Sequence, residues 1–276
     1  MLQHAFLALA ALATSTLAQT NNNNSSSNSN TTCGTTRYDI AAPVNSSAQV
    51  IVRNASTPWY LTSTLNDTRS ATTADHSITG FLSVPPDTSA YACVFLMTAL
   101  LPALTGNNGD CAGALSASCV DFIRSSVVVR AGDMAAKRCP SPPGLDALKE
   151  ACGDPLGKGL STAYSGIDVS NTTCARDRVP GPDQPPQGYS SFGLFGISGF
   201  AADESDRSDP TKFTWYGKYK SQAMPWIVAG LEGSESWTSV VCVVPGKVEA
   251  KSAATRVGGA WVGVGVAVMV AVWGLL

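Results

Sequence analysis

Charged side chains are scarce in this chain. Lys, Arg, Asp and Glu make up 14% of the 276 residues, against about 25% in typical soluble domains. The formal net charge is −2, so the chain lacks the basic surface that binding to nucleic acid requires. We therefore expect no nucleic-acid partner, and a surface with so few charges needs another source of hydration.

Motifs for nucleophilic, metal and cofactor chemistry are also missing. The two histidines are His4 and His76, and a Ser–His–Asp site needs a histidine as its base. His76 lies in the short polar sequence ADHS, and we interpret it as a surface residue. Neither G-x-S-x-G nor Cys-x-x-Cys occurs, so we predict no serine-hydrolase site and no zinc site. No cofactor is expected.

Glycoside chemistry requires only two carboxylates facing each other across a sugar. Glu232 and Glu235 form E-x-x-E in the sequence LEGSES, which reads as a turn. The E-x-D pattern that cell-wall transglycosidases carry on a strand occurs here only as Glu204-Ser205-Asp206, in an acidic cluster that reads as a solvated loop. We therefore leave enzymatic activity uncertain and lean against it.

Hydrophobic segments are present at both ends. Residues 257–276 form an uncharged run of the length that crosses a bilayer. The small residues at Ser252 and after it, followed by a short spacer, are typical of a glycolipid (GPI) attachment signal, with Ser252 as the attachment site. A retained membrane span is the alternative. Residues 1–18 predict a secretory signal peptide. The expected destination is the extracellular face of the plasma membrane or the cell wall.

Between these ends we predict a disordered Asn/Ser-rich arm (19–32), one ectodomain (33–245) and a stalk with the attachment region (246–256). Behind a secretory signal, the eight cysteines predict disulfides. They are Cys33, Cys93, Cys111, Cys119, Cys139, Cys152, Cys174 and Cys242. Cys93 and Cys242 both lie in apolar runs, and we predict that they pair. The segment 179–187 resembles a linker. If all eight cysteines pair, Cys242 must bond back across it, which favours one domain; a free Cys242 would favour two.

Hydrophobic patterns predict an α+β fold with disulfides, several strands and two or so short helices. Residues 49–54, 59–65, 78–84 and 237–244 read as strands, and 91–101 as a strand or the start of a helix. One helix is predicted from Cys111 to about Ser125 with Asp110 as its N-cap, and another over 144–152. Helical spacing would keep Cys111 and Cys119 about 12 Å apart, so each would bond elsewhere.

Two further sets of residues bear on the surface. The stronger N-x-[ST] sequons are Asn45, Asn54, Asn66 and Asn171, and their glycans would supply hydration. Trp215, Tyr216 and Tyr219 are a possible platform on which sugar rings stack, with packing in the core as the alternative.

The layout as a whole resembles that of uncharacterised GPI-anchored cell-surface proteins of filamentous fungi. It consists of the signal peptide, the Asn/Ser-rich arm, the cysteine-containing glycosylated ectodomain and the apolar tail. This resemblance implies a structural or interaction role at the cell surface or wall. The expected partners are the membrane, through the lipid anchor or C-terminal segment, and cell-wall glycan. The alternatives are a carbohydrate-binding module and, third, a wall-glycan hydrolase or transglycosidase.

Overall fold

The computed structural model describes residues 38–42, 44–69, 74–98, 101–153, 162–198, 211 and 214–246. The predicted signal peptide, the arm, Cys33, the attachment site Ser252 and the run 257–276 lie outside these residues. Within the described ranges, no helix has both the length and the apolar character needed to cross a bilayer.

The described part of the ectodomain is α+β, as predicted. Its strands are β1 (Ser46–Arg53), β2 (Trp59–Arg69), β3 (Ala74–Val84), β4 (Ala90–Met97), β5 (Thr162–Asp168), β6 (Ser190–Ser198), β7 (Met224–Glu232) and β8 (Glu235–Val243). Its helices are α1 (Ala117–Ser126), α2 (Ala131–Ala135), α3 (Leu145–Cys152) and α4 (Thr214–Ser221), with a 3₁₀ turn at Thr172–Cys174. The strands predicted over 49–54, 59–65, 78–84 and 237–244 correspond to β1, β2, β3 and β8.

Two antiparallel four-stranded sheets form a sandwich. The first sheet has the order β1-β2-β3-β6 and the second the order β5-β4-β7-β8. Alternate residues of β1 and β2, such as Val50 and Leu61, point inward and pack against Val94, Trp226 and Val241 of the second sheet. This alternation is the period of two that the sequence pattern of a half-buried strand predicts.

The second sheet is covered on both faces. Every residue of β4 is buried, because its other face packs against a layer formed by α1, α3 and the loops around them. Ile123 of α1 and Leu148 of α3 contact this face beside Phe95 and Ile227. A strand buried on both faces needs apolar residues at every position, which explains why residues 91–101 lacked a diagnostic period.

Helix α1 starts later than predicted. It begins at Ala117, and the hydroxyl of Ser116 accepts a hydrogen bond from the Cys119 amide at 3.2 Å. Asp110 instead accepts from the Ala112 amide at 3.0 Å, and Gly113 has a positive φ of 81°. Asp and Gly favour turns, and here Asp110 and Gly113 keep the residues before Ala117 out of the helix. The prediction of Asp110 as the N-cap is therefore wrong.

Three disulfides fasten the helical layer. They join Cys93 to Cys139, Cys111 to Cys242, and Cys119 to Cys152; Cys174 is disulfide-bonded as well. Cys111 and Cys119 bond elsewhere, as predicted. The predicted pairing of Cys93 with Cys242 is wrong because β7 lies between β4 and β8. Two strand spacings amount to about 9.6 Å, beyond the reach of a disulfide.

The segment 179–187 is part of the domain, not a boundary between domains. Its Asp183 accepts a hydrogen bond from Ser47 on β1 at 2.5 Å. The amide side chain of Gln184 donates to the Val179 carbonyl at 2.7 Å and accepts from the Val179 amide at 3.2 Å. Cys242 bonds back across this segment to Cys111, so the residues on its two sides are covalently joined.

Gly80 of β3 makes room for the indole of Trp226 between the sheets. A Cβ at this position would lie 2.5 Å from Cη2 of Trp226. We expect Gly80→Ala to lower the free energy of unfolding by about 2 kcal/mol through overpacking. Gly217→Ala is the matched control because a Cβ there meets nothing within 4 Å, and it should stabilise α4 by about 0.5 kcal/mol. Urea unfolding measures both; equal effects of the two changes would contradict the packing role of Gly80.

Candidate functional site

The two ends of the sandwich differ in the chemistry they present. We call the end with Val84, Ala90 and Glu232 the groove end; Ala90 and Glu232 are paired on neighbouring strands there. The opposite end, with Met97 and Val243, is the exit end, because the last described residue, Gly246, follows β8 there. The Gly246 amide donates to the Lys220 carbonyl of α4 at 3.0 Å.

A groove of about 310 Å³ opens at the groove end. The turn between β3 and β4, the turn after β5 and the first residue of β6 form its walls. The lining residues are Pro85, Asp87, Thr88, Ser89, Val169, Ser170, Thr172 and Ser190. Hydroxyl groups therefore dominate a concave site that a pattern of strands and turns gives no reason to expect.

Thr88, Ser170 and Asp87 supply hydrogen-bond acceptors in the groove. The Thr88 hydroxyl donates to the Pro85 carbonyl at 2.8 Å, and the Ser170 hydroxyl donates to Asp168 Oδ1 at 2.5 Å. Their protons are thus committed, while their oxygen lone pairs remain as acceptors. Asp87 adds a carboxylate, and no cationic side chain is among the lining residues. Such a site suits a neutral ligand rich in O–H and N–H donors and disfavours an anion.

Asp168 supports the groove from behind Ser170. The Ser170 hydroxyl is the main reason that the pKa of Asp168 lies below its ordinary value, although partial burial opposes this effect. Lys137 also lowers the pKa of Asp168, and its Nζ lies 3.4 Å from Oδ2 of that carboxylate. The ionised carboxylate therefore holds Ser170 in one orientation at neutral pH.

Glu232 and Glu235 lie beside the groove on the β7–β8 hairpin. Both carboxylates converge on the guanidinium of Arg53, which contacts Glu232 directly and lies 3.7 Å from Glu235. The same guanidinium lies 5.9 Å from the ring centroid of Trp59 and 5.6 Å from that of Trp237. The E-x-x-E pair thus shares one cation.

His76 is not a surface residue, and that interpretation is wrong. Its side chain is 2% exposed, and its Nδ1 lies 3.0 Å from Oδ1 of Asp67. The two residues are direct cross-strand partners on β2 and β3, on the inward face at the exit end. The ring of Tyr216 lies 6.0 Å away, and burial, then the charge of Asp67, raises the pKa of Tyr216. The short polar sequence around His76 concealed its place on an inward strand position.

Two of the three residues of the predicted aromatic platform, Tyr216 and Tyr219, pack against the sandwich core. Tyr219 is 5% exposed and belongs to the sandwich core, and burial raises the pKa of its hydroxyl. Tyr216 is partly buried and packs against the same core. The side chain of Trp215 lies outside the described residues. The platform is therefore wrong for Tyr219, and core packing is the role of both tyrosines.

The four sequons reach the surface to different degrees. Asn45 and Asn54 are exposed, whereas Asn66 on β2 and Asn171 after β5 are half-buried. Asn171 stands out because its two neighbours in sequence, Ser170 and Thr172, both line the groove. Occupancy of the sequons stays a prediction.

Sequence reasoning missed the groove because its walls come from separate turns. The one available signal was the run of turn-forming residues after Val84 together with the Asn171 sequon. Among the described residues, no group of three or more His, Cys, Asp and Glu side chains is placed to hold a metal ion. Comparison of the chain with protein-family models, curated proteins and solved structures finds no match in any of the three.

Proposed function

We propose that this protein is a glycosylated, surface-anchored extracellular domain with an interaction role, and that its groove end is the part presented to partners. The observation that carries the proposal is the placement of the groove at the end opposite to the chain's exit. Strand β8, Glu235–Val243, separates the two ends by about 27 Å at 3.4 Å per residue.

Attachment through residues beyond 246 would point the groove end away from the membrane. At the exit end the Ser46 hydroxyl of the first sheet donates to the Pro245 carbonyl at 2.5 Å. The start of the first sheet is therefore tied to the last described turn of the chain. A lipid attached near Ser252 would lie on this side, leaving the groove, the β7–β8 hairpin and Asn54 facing outward.

The disulfides support an extracellular address. Stable structural disulfides form in oxidising compartments such as the secretory pathway, and three of them fasten the helical layer here. The hydrolase hypothesis gains no support from Glu232 and Glu235, because both contact Arg53. The carbohydrate-binding alternative is favoured by the hydroxyl-lined groove, although Tyr219 of its predicted aromatic platform is buried.

Phospholipase treatment tests the anchor. We expect the full chain, expressed in eukaryotic cells, to appear on the surface and to be released by phosphatidylinositol-specific phospholipase C. A chain truncated after residue 256 is the matched control and should be secreted without the enzyme. Resistance to release, with residues 257–276 still detected by mass spectrometry, would replace the lipid anchor by a membrane span.

Site-specific photo-cross-linking on intact cells tests the presented end. A photoreactive residue at Glu235, 74% exposed at the groove end, should give adducts with the partner. Leu145 on the helical layer is the control, since it is 40% exposed and does not line the groove. Adducts from position 145 alone would contradict the proposed orientation.

A further inference from the structure

We propose that the groove binds an N-acetylhexosamine, and that the sugar it holds is the first N-acetylglucosamine of a glycan on Asn171 of the same chain. This inference rests on the proposed secretory route. It names the ligand class of the groove and identifies the chain itself as the source.

Asn171 is placed at the rim of the groove with its linkage atom available. Its backbone amide donates to the Asp168 carbonyl at 3.2 Å, which fixes the turn. Its Oδ1 accepts from the Thr173 amide at 3.2 Å, which fixes the side chain. Its Nδ2, the atom to which a sugar is joined, has no acceptor among the described residues. Because glycosylation modifies only Nδ2, the contact through Oδ1 is retained after modification.

The lining groups match the polar part of this sugar. Its hydroxyls and acetamido N–H are donors, and the groove presents acceptor oxygens at Thr88 and Ser170 and the carboxylate of Asp87. Ser89, Thr172 and Ser190 add hydroxyls that can serve as donor or acceptor. A phosphate, sulfate or carboxylate ligand would face Asp87 with no compensating cation in the lining.

The size and the apolar part of the groove fit one sugar unit. A volume of about 310 Å³ is at the lower end of the range for small-molecule sites, which suits a single ring. Pro85 and Val169 provide apolar surface against which the acetyl methyl group and the C–H face of the ring can pack. A free glycan of the same chemistry is the other source of such a unit.

Protection of the glycan is the first test. The full chain is produced in eukaryotic cells, and peptide N-glycosidase is applied to the native and the unfolded protein. Release is followed at each sequon by mass spectrometry. We expect native release at Asn171 to be about tenfold slower than at the exposed Asn54, as the loss of one or two hydrogen bonds predicts. The two rates should converge once the protein is unfolded.

Groove variants separate a held sugar from a merely crowded site. Asp87→Asn combined with Ser190→Ala removes acceptors from the groove and should bring release at Asn171 close to the rate at Asn54. Ser125→Ala is the control, because Ser125 is an exposed residue of α1 that does not line the groove. Equal rates at Asn171 and Asn54 in the native wild type would overturn the proposal.

Free sugar distinguishes the source of the ligand. Di-N-acetylchitobiose should perturb the NMR signals of Ser89 and Ser190 in Asn171→Gln and leave those of the wild type unchanged, since its groove is already filled. Equal perturbation of both proteins would overturn the proposal, as would an unmodified Asn171 in a chain that carries a glycan at Asn45 or Asn54. Absence of glycan at every sequon would instead contradict the proposed secretory function.

Discussion

Replacing Cys111 and Cys242 together by alanine is expected to lower the free energy of unfolding by about 4–5 kcal/mol. Of the three disulfides with both cysteines described, this one closes the longest loop, with a sequence separation of 131. In the chain-entropy model, the stabilisation grows with the logarithm of loop length. Alanine is preferred to serine because both cysteines are buried, at 5% and 0% exposure, and a buried hydroxyl would add its own cost.

The Cys119–Cys152 pair gives the matched comparison. Its loop of 33 residues predicts a loss of about 3–4 kcal/mol when both cysteines become alanine. Urea unfolding of the two double variants under oxidising conditions measures the difference. A smaller loss for Cys111/Cys242 than for Cys119/Cys152 would show that loop length does not govern the stability of this domain.

Asp67→Ala is expected to cost about 3 kcal/mol, because it removes the carboxylate from a buried pair and leaves the imidazole of His76 in the interior. The pair is 2% and 6% exposed, with 3.0 Å between Nδ1 and Oδ1. Asp67→Asn keeps an oxygen acceptor of the same shape and should cost about 1 kcal/mol.

A glycan on Asn66 would confound the comparison of the two Asp67 variants, so the sequon at Asn66 has to be removed. Asp67 is its middle residue, so both changes are best made in a Thr68→Val background that cannot be glycosylated there. Thermal or urea unfolding gives the two losses, and a cycle with His76→Ala isolates the coupling between the residues. A coupling energy near zero would show that the interaction between Asp67 and His76 does not stabilise the exit end.

Sequence patterns were sufficient for strands whose sequence alternates. Residues 49–54 lie in β1, whose burial alternates as well. Residues 78–84 lie in β3, although Phe81 and Ser83 are buried on its second face. Sequence patterns failed for β7. All of its residues except Glu232 are buried, so its hydrophobic residues show no period of two. Sequence patterns also missed β5, an edge strand rich in small and polar residues, including Gly166. The backbone pairing of these strands depends on partners far away in sequence.

The site was less predictable than the fold, because its chemistry comes from tertiary placement. Asp67 and His76 are both polar residues in polar sequence, and only the β2–β3 register turns them inward. Cys93 was paired wrongly because the position of β7 between β4 and β8 is a property of the topology. The groove is formed by turns that are adjacent in space, and the local sequence of one turn does not predict which other turns lie next to it.

The three fully described disulfides all lie on one side of the molecule. Each has both of its cysteines in the helical layer or on the strand face beneath it, and Cys93 and Cys242 belong to the core on that side. The core between the two sheets contains none of these six cysteines. Reduction of these three disulfides would therefore loosen the helical layer as a separate unit before it loosened the core between the sheets. The groove would respond to the loss of a different disulfide, because its Thr172 lies in the 3₁₀ turn that ends at the disulfide-bonded Cys174.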